Sequence, residues 1–276
     1  MGQGPARSVR QQRRFRWYRV CQWQRPGRQR QRQPALPHHL HDRSRTVSWQ
    51  PLSQSLPYPW PLCGHWSAGD TALIVIDMQN DFLDPGGYFG QMGYNIDHTR
   101  AAIAPTQALL AAVRKQGMKV IYTLESHRPD LSDLNPTKKA RAESIGTAIG
   151  SNGPLGRFLV QGEKGSQIVE ALAPEPADIV LHKPGNGAFH ATDLDQILRA
   201  NGIRHLLITG VTTDVCVHST LREANDRGYD CLVVADCCGA GDPALHDAAL
   251  AMMLNEGGVF GAYTDHKTLT DHWSSP

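Results

Sequence analysis

The chain has 276 residues, 28 of them basic and 26 acidic, for a formal net charge of +2. That near-neutral total is the sum of two opposites: residues 1–50 carry twelve Arg, no Lys and one Asp, about +11, while the rest is acidic by about −9. From an acidic folded part no nucleic-acid partner is expected, and no run of about eighteen apolar residues is present to span a membrane.

The Arg/Gln-rich start, as in Arg25-Pro-Gly-Arg-Gln-Arg-Gln-Arg-Gln33, has no apolar period and cannot bury a core. We expect residues 1–54 to form a disordered tail that need not belong to the native protein, and residues 55–276 to form one domain. A basic nucleic-acid arm and a mitochondrial presequence are the other readings of the tail. A secretory signal is excluded because no apolar h-region is present.

From residue 71 the pattern becomes regular. The run 71–76 is apolar and β-branched, as in a strand buried on both faces. A helix follows, starting with Pro105 in its first position and with Gly117 as its stop. Residues 119–124 form a second strand, and 126–164 form a long excursion rich in Pro, Gly, Asn and charge. The third strand is 178–182. A capping-box-like Thr192-Asp-Leu-Asp195 then opens a helix that ends before Gly202. Residues 206–209 form the fourth strand and 231–235 the fifth. Asp242 caps a helix closed by Gly257, and 258–262 forms a short sixth strand. This alternation predicts an α/β fold: a single-domain, three-layer α/β/α architecture around a six-stranded, mainly parallel sheet.

Six cysteines (21, 63, 216, 231, 237 and 238) form no metal-type Cys-x-x-Cys pair. Reduced thiols in a cytoplasmic protein are expected.

Ligands of parallel sheets bind at the carboxyl ends of strands. Asp77 closes the first strand, Lys183 the third, and Cys216 lies just beyond the fourth, near the start of a helix predicted over 214–227. Singly, each has an ordinary reading: a cap, a solvated cation, a buried apolar thiol. Together they supply a proton carrier, a cation and a nucleophile, the set needed to cleave an amide through an acyl-enzyme. The helix start and Lys183 would favour the Cys216 thiolate. Asp77 would accept the thiol proton and later donate it to the leaving amine. The N–H groups of Thr212 and Cys216 would hold the oxyanion.

Three stretches, Ile74-Val-Ile-Asp-Met-Gln-Asn-Asp-Phe82, His182-Lys-Pro-Gly-Asn-Gly-Ala-Phe189 and Gly210-Val-Thr-Thr-Asp-Val-Cys-Val217, resemble the three signatures of the isochorismatase-like cysteine hydrolases. The resemblance covers residues 57–270. It implies an Asp77, Lys183, Cys216 triad, a cis peptide between Val211 and Thr212, and Phe82 against a planar substrate. Shorter pieces, among them His127-Arg-Pro-Asp130 and Asp236-Cys-Cys-Gly239, are most similar to biuret hydrolases and other linear-ureide amidohydrolases. Triuret, ureidoacrylate and N-carbamoyl amino acids are the alternative substrates, and a catalytically silent binding paralogue is the alternative of another kind. Nicotinamidases hold a metal with an Asp-x-His pair and a further His, a spacing missing here, so no metal and no cofactor are expected. Glu256 stands where biuret hydrolases carry Gln, and is expected to line the pocket and bind substrate N–H groups. Relatives form oligomers, which implies a homo-oligomer.

Overall fold

Residues 47–274 are described by a computed structural model of the chain. Six apolar runs become six strands: β1 (Thr71–Ile76), β2 (Lys119–Glu125), β3 (Ile179–Lys183), β4 (His205–Val211), β5 (Asp230–Gly239) and β6 (Ala262–Thr264). They form one sheet in the order β6-β5-β4-β1-β2-β3. Every neighbouring pair is parallel. All six carboxyl ends therefore lie along one edge.

Side chains of a strand alternate between faces, and β1 divides accordingly. Leu73 and Val75 enter one core with Leu109, Leu110 and Val113 of helix α1 (Ile103–Lys115). Those three helix residues, with Thr106, recur at the spacing of one buried helical face. Ala72, Ile74 and Ile76 enter the opposite core. There they meet Leu194 and Leu198 of α3 (Leu194–Ala200), Leu221 of α4 (His218–Asp226) and Met253 of α5 (Pro243–Met253). Each fully buried aliphatic side chain contributes roughly 1.5–3 kcal/mol. Helices on both faces of a six-stranded parallel sheet make the three layers that the alternation implies.

Three expectations are displaced. Residues 47–54, assigned to the tail, are folded: Ser48–Trp49 pairs antiparallel with Trp66–Ser67, and Trp49 and Leu52 are buried. Two large apolar side chains in a polar stretch give no period, but the Trp49 ring lies 4.8 Å from that of Trp66 and 5.9 Å from that of Trp273. Residues 1–46, the rest of the expected tail, lie outside the described residues. The sixth strand begins at Ala262 rather than 258, because Gly257, Gly258 and Gly261 all take positive φ and cannot continue a ladder. Finally, the excursion after β2 contains a helix, α2 (Pro136–Ser144), capped by the Asn135 side chain with Pro136 in its first turn. A further helix, α6 (His266–Ser274), closes the described chain.

Cys216, Cys231, Cys237 and Cys238 are free thiols, as a reduced protein would hold them. Cys63 departs from that expectation, being disulfide-bonded. No helix among the described residues is long and apolar enough to cross a membrane.

Candidate active site

The four adjacent strands β4, β1, β2 and β3 end side by side, and their ends carry the chemistry. Asp77 follows β1 at φ 52°, a left-handed conformation that costs a non-glycine residue energy and concentrates at functional sites. Its Oδ1 accepts from Thr123 Oγ1 at 2.8 Å and from the Glu125 N–H at 3.1 Å, both on β2. Lys183, the last residue of β3, reaches across: Nζ lies 2.8 Å from Asp77 Oδ2. It donates to the Gly185 carbonyl at 2.9 Å and lies 3.5 Å from Cys216 Sγ. Asp77 and Lys183 are 0 % exposed and Cys216 4 %. An uncompensated charge could not persist at that depth, so the ion pair is a condition of the arrangement.

Near the end of β4 the chain needs Gly210. Its φ is 114°, and a Cβ there would fall 2.0 Å from the Ile76 carbonyl oxygen. The Val211–Thr212 peptide is cis. Residues Thr213–Val217 then form one π-helical turn that runs into α4. Cys216 thus sits inside a π turn ahead of α4 rather than in the first turn of an α-helix. Such turns recur at functional sites.

Glu125, which the sequence reading passed over, completes the cluster. It closes β2 as Asp77 and Lys183 close their strands, so the same strand-end rule points to it. Cys216 Sγ donates to Glu125 Oε2 at 3.4 Å. The other carboxylate oxygen takes Lys138 Nζ of α2 at 2.5 Å, and that ammonium also donates to the Pro184 carbonyl at 2.8 Å. Burial would push the Glu125 carboxyl up, but Lys183 and Lys138 outweigh it and hold it below its ordinary value. Burial dominates at Asp77 and, with the Glu125 charge, raises its carboxyl against the pull of Lys183. The two carboxyls are pushed apart, which marks Asp77 as the one able to carry a proton and Glu125 as a standing anion.

Cys216 corrects an expectation. Burial, followed by the two carboxylates, raises the thiol well above its ordinary value despite Lys183. The resting group is the thiol, so a base must remove its proton. Asp77, Glu125 and Cys216 also present atoms within 4.8 Å of one another, close enough for metal ligands. The Lys183 ammonium already sits among them, at 2.8, 3.7 and 3.5 Å, and supplies the cation those groups need.

Cys216 and Thr212 line a cavity of about 350 Å³ together with Phe82, Tyr88, Phe89 and residues of α2. A larger cavity of about 540 Å³ lies beside β5 and β6 and contains none of the triad. Chemistry rather than size selects the smaller one. Phe82 is where it was expected. Glu256 is not: it does not line the cavity and is exposed in the turn Asn255–Gly257 that leads into β6. A chain entering a parallel strand is at the amino edge, opposite the triad. The same turn bears this out, since a Cβ on Gly261 would fall 2.6 Å from the carbonyl oxygen of Cys231 at the start of β5.

The fold that carries these residues is similar to that of known proteins. A cysteine hydrolase from Pseudomonas syringae pv. phaseolicola 1448A superposes with a TM-score of 0.64 at 26% identity, over 75% of this chain and 93% of its own. An isochorismatase family protein from Desulfovibrio vulgaris subsp. vulgaris str. Hildenborough gives 0.62 at 28%, over 75% and 99%. The N-carbamoylsarcosine amidase from Thermoplasma acidophilum gives 0.54 at 26%, over 71% and 96%. The sequence profile of the isochorismatase domain matches residues 71–265, well over half of the sequence, and the chain belongs to the isochorismatase family.

Proposed function

We propose that the protein is a cysteine-nucleophile hydrolase of non-peptide C–N bonds, acting on a small linear ureide of which biuret is the simplest case. The observation that carries this reading is the contact set around Lys183, with Asp77 at 2.8 Å and Cys216 at 3.5 Å beneath a small cavity. It is supported by similarity to an amidase that, by its name, acts on an N-carbamoyl compound.

Asp77 takes the thiol proton as sulfur attacks the carbonyl carbon, and Lys183 stabilises the sulfur anion as it forms. The N–H groups of Thr212 and Cys216 hold the oxyanion. Asp77 returns its proton to the leaving nitrogen, the C–N bond breaks, and ammonia or a small urea fragment departs. Water, activated by the same carboxylate, then hydrolyses the thioester-type intermediate and regenerates the thiol. No metal or cofactor takes part in this scheme. A panel of biuret, triuret, ureidoacrylate and N-carbamoyl amino acids, read by ammonia release, tests it. The expected result is turnover of at least one, lost in Cys216→Ala. Turnover of none by the wild type would remove the reading.

We propose a cytoplasmic setting, supported by the free Cys216, Cys231, Cys237 and Cys238 thiols, with the disulfide-bonded Cys63 as the observation against it. We also propose a homo-oligomer, supported by the exposed apolar Leu245, Met252, Leu254 and Val259 on and after α5. A monomeric mass in light scattering would refute it.

A further inference from the structure

The charges around the cavity can be paired off, and one is left over. Asp77 is matched by Lys183 and Glu125 by Lys138. Arg141 also lines the cavity. Its guanidinium has no ion pair or hydrogen bond among the described residues; only its backbone carbonyl is engaged, by Ser144. Lys138 is committed twice, to Glu125 and to the Pro184 carbonyl. Arg141 is therefore the cation with donors free for a ligand.

Its position sets the length of that ligand. Lys138 and Arg141 are three residues apart on α2 and share one face, about one helical turn or 4.5 Å along the axis. Lys138 holds Glu125, and Glu125 touches the thiol of Cys216. Arg141 is one step farther out along the same wall. Cys216 and Arg141 line the same cavity, so a molecule that spans it with its carbonyl at Cys216 would bring its far end to the guanidinium. That fork matches a carboxylate with two parallel hydrogen bonds. Arg141 is exposed at this cavity, whose lining also includes the aromatic Phe82, Tyr88 and Phe89, so the attraction is expected to be screened by salt.

From this placement we infer that Arg141 determines specificity, and that the favoured substrate is a short ureide ending in a carboxylate rather than neutral biuret. This narrows the amidohydrolase reading and rests on it for the substrate. The cation itself can be tested without turnover. Iodoacetate and iodoacetamide alkylate the same sulfur and differ by one negative charge. Their rates at Cys216, followed by mass spectrometry on the full chain, are compared in wild type, Arg141→Gln and Arg141→Lys, with melting curves to verify folding. The iodoacetate-to-iodoacetamide ratio should fall at least fivefold in Arg141→Gln, recover largely in Arg141→Lys, and fall with added salt in the wild type. In parallel, the ratio of kcat/KM for N-carbamoylglycine to that for biuret should exceed one in the wild type. It should drop tenfold or more in Arg141→Gln, mainly through KM. An alkylation ratio unchanged within twofold, or a wild-type preference for biuret, overturns the inference. Hydrolysis of neither compound would count against the amidohydrolase reading, while the alkylation ratio would still decide whether Arg141 acts on an anion.

Discussion

The two edges of this sheet are built from opposite materials. At the carboxyl edge, four adjacent strand ends hold Asp77, Glu125, Lys183 and Cys216 in mutual contact, all buried. At the amino edge, Trp60 and Trp66 pack at 4.9 Å, Trp60 meets His205 at the start of β4, and Trp49 and Trp273 complete the cluster. Parallel strands make this difference useful. Loops leaving their carboxyl ends converge on one cleft, and a buried charge there survives only because its partner arrives from a neighbouring strand. The amino edge has no such task and is closed largely with apolar area, with the Asp70–Arg204 ion pair beside it. Function and stability should therefore separate by edge.

The sharpest way to break that separation is at the sulfur. Cys216→Ala should lower turnover by at least a thousandfold, about 4 kcal/mol in transition-state free energy, while the melting temperature stays within a few degrees. Retention of a tenth of wild-type activity would remove the covalent step. At the other edge, Trp60→Ala should cost about 3–5 kcal/mol of stability, as large-to-small changes in cores do, and lower the melting temperature by roughly 10 °C. Its kcat below the transition should match the wild type. A large loss of kcat with intact stability would show that the edges are coupled.

Protonation should also act from the carboxyl edge. Asp81 lies beside Phe82, and burial raises its carboxyl to about 6 although the Leu159 and Tyr88 N–H groups bond to it. A folded value above the unfolded one means that the native state binds the extra proton. Stability is then gained in full below the unfolded value near 4 and lost as pH rises through about 6, by about 3 kcal/mol in total. Urea melts of wild type and Asp81→Asn between pH 4 and 7 would show it: the wild-type curve should fall relative to the variant. Parallel curves would assign the carboxyl an ordinary value. The smallest effect is expected at Glu256. Exposed at the amino edge, Glu256→Gln should leave the kcat/KM ranking of biuret, triuret and ureidoacrylate unchanged within about twofold, and a tenfold reordering would return Glu256 to the site.

Much of the site was legible because strand ends in a parallel sheet are legible. The run 71–76 is apolar after Thr71, buried throughout, and is β1 to the residue, so Asp77 had to stand at its carboxyl end. The same holds for Lys183 at the end of β3. Glu125 obeys the same rule at the end of β2 and could have been found by applying it to every strand. Helix α2 was hidden because only Ala142 of its nine residues is buried. An amphipathic period cannot appear in a helix that covers a cavity with polar side chains. Its Asn135-Pro136 start was the remaining signal.

By itself the sequence determined the layers, the strand ends and the reactive types that stand on them, because hydrophobic periodicity and strand polarity are local properties. Only the tertiary structure decided the rest. It placed Lys138 on Glu125, a pairing of residues thirteen apart through a helix that no period announces. It raised the Cys216 thiol, since burial beside two carboxylates outweighs a single cation. It moved Glu256 from the pocket to the opposite edge, since the direction of a strand, and not nearness to a glycine turn, sets which end of the sheet a residue occupies.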